Sequence, residues 1–247
     1  MKKLLLFFGI IFAFWQPAWA DNNEYITPYN ALLKQYVKSS EKQGIKTELV
    51  DYKGWSADAK HAEAMQLIAQ VKPGYLLGKE KMAFWINAYN LLTIDLIIKQ
   101  NEHESIKNTG SLLSSPWKSH HWMISGKDYT LDAIENNILR KMGDPRIHAA
   151  INCASLSCPD LRAEAYSAEK LDAQLDEQMR KFLQNDTKGL RIKGSELTIS
   201  KIFDWFADDF KEKGGVVAFI RKYSLQMPEN AVVAGYFDYN WKLNGNW

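Results

Sequence analysis

Residues 148–158 bring together an imidazole (His148), a carboxamide (Asn152), two hydroxyls (Ser155, Ser157) and two thiols (Cys153, Cys158), and those thiols are the only cysteines in the sequence. A thiol becomes a nucleophile when a neighbouring base or positive environment lowers its pKa, and the base serves best when a third group fixes its tautomer. His148 is the imidazole nearest to Cys153 in sequence. Glu135, or Asn87 further upstream, is the expected group to orient that ring. The N–H groups of 154–157 would form an oxyanion hole if that run opens a helix. These residue types imply acyl transfer or hydrolysis at an amide or ester bond of a small-molecule or peptide-like substrate. Cys153, His148 and Glu135 form the catalytic set, with Asn90, Asn152, Ser155 and Ser157 as binding groups. Papain-like and transglutaminase-like enzymes use the same residue types, but the imidazole here precedes the thiol, opposite to papain, so no sequence signature of that class is met.

The same spacing has a second reading. In an oxidising compartment, two cysteines five positions apart would form one disulfide, Cys153–Cys158, worth about 2 kcal/mol by loop-closure arithmetic, and its main effect would be to fix the loop's shape. His148 would then be a core histidine and the serines turn formers. On this reading the chain is a non-catalytic binding or interaction module, with Trp117, Trp122 and Trp241 as contact surface. Thiol–disulfide exchange is a third use of the pair, although C-x4-C is not the C-x-x-C of thioredoxin-like proteins.

Export is expected from the first twenty residues. Lys2 and Lys3 precede an uncharged apolar run (4–14), and Ala18-Trp19-Ala20 supplies a small-x-small cleavage site. The run is too short to span a bilayer, which marks a secretory signal peptide cleaved after Ala20, most simply into a bacterial periplasm. The remainder, 21–247, is expected to be one domain with no transmembrane segment. The formal charge of +2 comes from 31 basic and 29 acidic residues. Without Lys2 and Lys3 the two signs balance, so the chain lacks the basic footprint that nucleic-acid binding needs. No cofactor is implied. The adjacent His120 and His121 have no second ligand pair at zinc spacing, so no metal is expected.

The elements that must position these groups are mostly helical. Apolar periodicity predicts helices over 26–37 (Thr27 as N-cap), 57–70, 79–99, 130–142, 167–183, 202–210 and 216–223. Short hairpins are expected around Ser125-Gly126-Lys127 and Lys193-Gly194, and an isolated strand over 46–52. The segment 79–99 is apolar nearly all round, which makes it the central helix. Asn87 and Asn90 interrupt it, and a buried amide there must be hydrogen-bonded, either as a core anchor or as part of a site. The fold class is α+β: a mostly helical single domain with short antiparallel hairpins around a central apolar helix.

Several of these stretches together are similar to the DUF547 family, a domain of unassigned function. They are 83–90 (Ala-Phe-Trp-Ile-Asn-Ala-Tyr-Asn), Ile134-Glu135 with Ile138-Leu139-Arg140, 144–148, 152–159, 197–210, and the close at 238–244. Asn136 stands where that family often has His, and Tyr239-Asn240 departs from its terminal motif. The resemblance implies a fold over nearly all of the chain after the leader, and no reaction.

Overall fold

The computed structural model describes residues 22–111 and 113–247. The expected leader and its cleavage position lie outside these residues. Helix α1 (Ile26–Tyr36) runs directly into strand β1 (Val37–Lys42), which pairs antiparallel with β2 (Ile45–Asp51). Then come α2 (Tyr52–Ala57), α3 (Ala59–Gln70), α4 (Gly78–Lys99), the short turn α5 (Pro116–Ser119) and the β3–β4 hairpin (Trp122–Ile124, Lys127–Tyr129). A π-helical segment (Ala133–Leu139) leads to α6 (Ile147–Ala150) and α7 (Leu171–Gln184). The chain finishes with β5 (Leu190–Lys193), β6 (Glu196–Ile199), α8 (Ile202–Trp205), α9 (Val216–Arg221), β7 (Val232–Tyr236) and β8 (Gly245–Asn246). The fold is α+β, with small sheets set around helices.

Helix α4 is central, as its composition predicts: every residue from Met82 to Ile97 is buried, including Asn87, Asn90, Thr93 and Asp95. The N-terminal region departs from expectation. α1 begins at Ile26 behind Tyr25 rather than behind a Thr27 cap, and the polar connection after it is a strand. β1 is exposed along Lys38–Glu41, so no apolar alternation announces it; only its turn does, Gln43-Gly44, both with positive φ (56° and 74°), as a two-residue hairpin of type I′ requires. The expected 57–70 helix is divided by Asp58, whose carboxylate accepts from the Lys60 N–H and restarts the helix as α3. Two pairings in the fold are parallel, β6 with β7 and β2 with β8, and both tie the C-terminal segment back to distant sequence.

Two apolar clusters result. The larger surrounds α4. The smaller gathers Phe182, Phe203, Phe210 and Phe219 over β5 and β6. Helix α6 joins them, with Ile147 and Ala150 in the larger cluster and Ala149 in the smaller. His148 and the cysteine-bearing loop lie at this seam.

Candidate functional site

The loop after α6 is shaped by amides. From α4, Asn90 Nδ2 donates to the Ala150 carbonyl (2.9 Å) and its Oδ1 accepts from the Asn152 N–H (2.8 Å). Asn152 Oδ1 in turn accepts from the Ala154 N–H (2.9 Å) and from Asn244 Nδ2 (3.1 Å), while its Nδ2 donates to the Pro159 carbonyl (2.7 Å). These bonds hold Ala154 at φ 57°, a left-handed conformation costing a non-glycine residue roughly 1–2 kcal/mol. Such strain persists only where its surroundings over-determine it, and here it fixes the direction of the adjoining Cys153. At the far end of the loop the buried Lys188 ammonium lies 2.6 Å from Asp160 and also donates to Thr47 Oγ1 and the Leu156 carbonyl. Asn90 and Asn152, read from sequence as binding groups, are thus engaged in holding backbone and, for Asn152, the Asn244 amide.

The expected oxyanion hole at 154–157 is not present, because the run does not open a helix. The Ala154 N–H serves Asn152, the Leu156 N–H donates to the Lys242 carbonyl and the Ser157 N–H to the Asn240 carbonyl. The C-terminal segment occupies that side of the loop, and Ser157 Oγ itself accepts from the Asn240 N–H (2.8 Å).

Cys153 opens onto a cavity of 260 Å³ whose wall also carries Glu135, His148, Trp117, Trp205, Phe206, Tyr239 and Trp241. Its Sγ is 3.3 Å from Ser155 Oγ, 3.3 Å from the Tyr239 hydroxyl and 2.7 Å from Cys158 Sγ. Burial pushes the Cys153 thiol up, but hydrogen bonds from Cys158, Ser155 and Tyr239 outweigh it and hold the thiol below its ordinary value. Cys158 goes the other way: burial, reinforced by the neighbouring Cys153 sulfur, keeps it a protonated thiol. Both cysteines are free. At 2.7 Å their sulfurs are farther apart than the 2.03–2.05 Å of a disulfide, so the expected staple is not formed in this structure.

His148 is buried, stacked on Phe206 (ring centroids 4.2 Å apart), with Nε2 2.7 Å from Asp209 Oδ2. Asp209 also receives both arms of the Arg140 guanidinium, each at 2.7 Å. Although burial raises the Asp209 pKa, His148 and Arg140 hold the carboxyl ionised well below the usual carboxylate range. An ionised Asp209 accepts the Nε2–H, which leaves the Nδ1 lone pair as the basic position of the ring, and Nδ1 has no partner among the described residues. Burial lowers the His148 pKa more than Asp209 raises it, so the ring is neutral near pH 7.

The third member of the predicted set has a different task from the one expected. Glu135 does not orient His148; Asp209 does. Glu135 sits on the π-helical segment, a geometry often associated with functional sites, and accepts from the Tyr89 hydroxyl (3.1 Å), which accepts from Trp117 Nε1 (3.0 Å). Burial raises its pKa to about 7 against the opposing Tyr89 bond, so it spends much of its time near neutral pH as a carboxylic acid. Asn87, the other suggested orienter, lies elsewhere in the core, donating to the Tyr25 hydroxyl and the Tyr166 carbonyl and accepting from the Tyr166 N–H.

Of the three tryptophans proposed as contact surface, Trp117 and Trp241 line the cavity. Trp122 is buried instead, donating to Asp95 at 2.6 Å. The adjacent histidines also separate: His120 meets the Thr109 carbonyl and His121 meets Asp128. No group of three metal-ligating side chains suited to an ion occurs among the described residues.

Residues 75–183 match the family described as "Protein of unknown function, DUF547". That segment belongs to the DUF547 family. It contains α4, the π-helical segment and the whole loop from α6 through Asp160, and so carries Glu135, His148 and both cysteines. Asp209 and Tyr239, which complete the site, come from outside the matched DUF547 segment. No curated protein and no solved structure matches the chain.

Sequence reasoning passed over Asp209, Arg140 and Tyr239 as functional groups. All three lie in stretches that carry the family resemblance, at 138–140, 197–210 and 238–244, and that was the only signal they offered.

Proposed function

We propose that this protein is an exported thiol-dependent acyl transferase or hydrolase acting on an amide or ester bond, with Cys153 as nucleophile. The observation that carries the reading is a hydrogen-bonded, activated thiol sharing a cavity with a neutral imidazole whose tautomer an ionised carboxylate sets. In the first step Cys153 Sγ attacks the carbonyl carbon and its proton passes to His148 Nδ1. Collapse of the tetrahedral species breaks the C–N or C–O bond, and the leaving group takes that proton. Water, or another acceptor nucleophile, then adds to the thioester, the C–S bond breaks and the thiol is regenerated. With the N–H groups of Ala154, Leu156 and Ser157 committed elsewhere, the Ser155 N–H beside Cys153, protonated Glu135 and the Tyr239 hydroxyl are the donors near the thiol that could stabilise the oxyanion.

The reduced protein is the active form. Exchange with a small-molecule disulfide, which departs as two thiols, would close Cys153–Cys158 and remove the nucleophile. The decisive experiment incubates the reduced protein with a neutral aryl ester and follows intact mass and peptide mapping. An acyl group on Cys153, absent in Cys153→Ala, is expected. A protein that stays unacylated by esters and thioesters alike rejects the reading. Export is tested separately: the N-terminus of the protein recovered from a secreting host should be Asp21.

A further inference from the structure

The cavity wall differs from the rest of the molecule in charge and in shape. Among the described residues no Lys or Arg lines it, although the chain carries 31. Its titratable groups are the acids Asp132 and Glu135, the thiols, Tyr89, Tyr239 and the neutral His148. Three cations lie just outside the lining, each against one of its residues or their partners: Arg140 is held by Asp209 and lies against Phe206, Lys118 is 3.9 Å from Asp132, and Lys107 covers Trp241 at 4.9 Å. A carboxylate on the incoming acyl group would meet Asp132, and Glu135 when ionised, on this wall, and no Lys or Arg of the lining offsets them.

The rest of the wall is mainly aromatic, with Ile151, Ile202, Ser115 and Asn136 completing it. Trp205 stacks with Trp241 (5.9 Å, 20°), and Tyr239 packs against both at 4.7 and 4.6 Å. Trp205 is 46 % exposed, so part of a large apolar ring remains open at the edge of the cavity. The volume of 260 Å³, against about 150 Å³ for a cavity that holds benzene, has room for one substituted ring or a short branched chain.

We infer that the site selects uncharged, ring-sized apolar acyl groups and rejects acyl groups bearing a carboxylate, with the aromatic wall formed by Trp205, Tyr239 and Trp241 as the specificity-determining surface. This rests on Cys153 being the nucleophile, and it is tested by reagents that report on nucleophile and selectivity separately. Alkylation of Cys153 in the reduced full-length protein is measured by peptide mapping with iodoacetamide and with iodoacetate, which differ chiefly in charge, each rate divided by that of a free small thiol. N-phenylmaleimide and N-methylmaleimide then probe the wall, in the wild type and in Trp205→Ala. The expected result is a normalised preference for iodoacetamide over iodoacetate of about tenfold or more. A preference for the phenyl reagent should accompany it and shrink in Trp205→Ala. Fast alkylation by all reagents without preference overturns the substrate class while the nucleophile stands. A Cys153 slow towards every reagent overturns the nucleophile, and the substrate class with it.

Discussion

Among the described residues two histidine–aspartate pairs are largely shielded from solvent, and they are used differently. In the larger cluster His61 Nε2 meets Asp95 Oδ1 at 3.1 Å, and Trp55 Nε1 donates to His61 Nδ1 at 3.1 Å. Asp95 is further tied by Trp122 Nε1 (2.6 Å) and Lys99 (2.7 Å). At the seam, His148 Nε2 meets Asp209 Oδ2 at 2.7 Å, and its Nδ1 is left unpaired beside a thiol-bearing cavity. The carboxylate plays one role in both, fixing the ring's tautomer. What separates a structural pair from a chemical one is the second nitrogen: closed by an indole in one case, open in the other. A histidine–aspartate contact alone therefore says little about function until the remaining ring nitrogen is traced.

That contrast can be broken by substitution. The largest effect is expected from His148→Gln, which should lower the rate of Cys153 acylation by roughly 10³-fold, with Asp209→Asn lowering it by roughly 10²-fold or more, since a wrong tautomer disables the base. Neither of the corresponding changes at His61 or Asp95 should alter the rate per folded molecule. If His61→Gln slowed acylation as much as His148→Gln, the distinction drawn here would fail.

Stability should show the reverse ranking. Lys188→Met removes the nearer of two cations from buried Asp160, leaving Lys181 at 3.7 Å and the hydrogen bonds from Thr47 and the Glu48 N–H, and should cost about 3 kcal/mol in chemical denaturation. Asp95→Ala strands the Trp122 indole and the His61 N–H and should cost about 3 kcal/mol. Asp209→Asn, with Arg140 partly open to solvent, should cost less than either. An Asp209 variant more damaging to folding than the Asp95 variant would make the seam pair the structural one.

The smallest effect concerns pH. Glu135 is raised from an ordinary 4.5 to about 7, so between those values the unfolded chain has released a proton that the folded one retains. Folding stability therefore falls as pH rises through that window and levels off above about pH 7. Replacing the carboxyl by Glu135→Gln should flatten this part of the stability–pH curve, read as denaturation midpoints at pH 5, 6 and 7. An unchanged slope would mean that Glu135 ionises normally.

How much of this was legible beforehand follows from what leaves a local trace. α4 declared itself because burial on all sides removes its polar face, and its two asparagines stood out for the same reason. The 148–158 stretch was visible through residue type. The parallel pairings of β7 and β8 were not, since pairing between distant segments leaves no period in either. Asp209 and Tyr239 entered the site by that route: their roles depend on segments some 61 and 86 residues from the groups they touch. The helical oxyanion hole expected at 154–157 did not form for a related reason, because the tail takes the Leu156 and Ser157 N–H groups and Asn152 takes that of Ala154. The disulfide expectation came from compartment and spacing, which bring the sulfurs together without deciding their oxidation state.

The central claim is that Cys153 is an activated thiol served by His148, and the most direct measurement is the pH dependence of its alkylation by iodoacetamide in the reduced protein, resolved from Cys158 by peptide mapping. The account predicts that Cys153 reacts faster than Cys158 and titrates below the roughly 8.5 of a free cysteine. An inflection at or above about 8.5, with the two cysteines reacting alike, would contradict it.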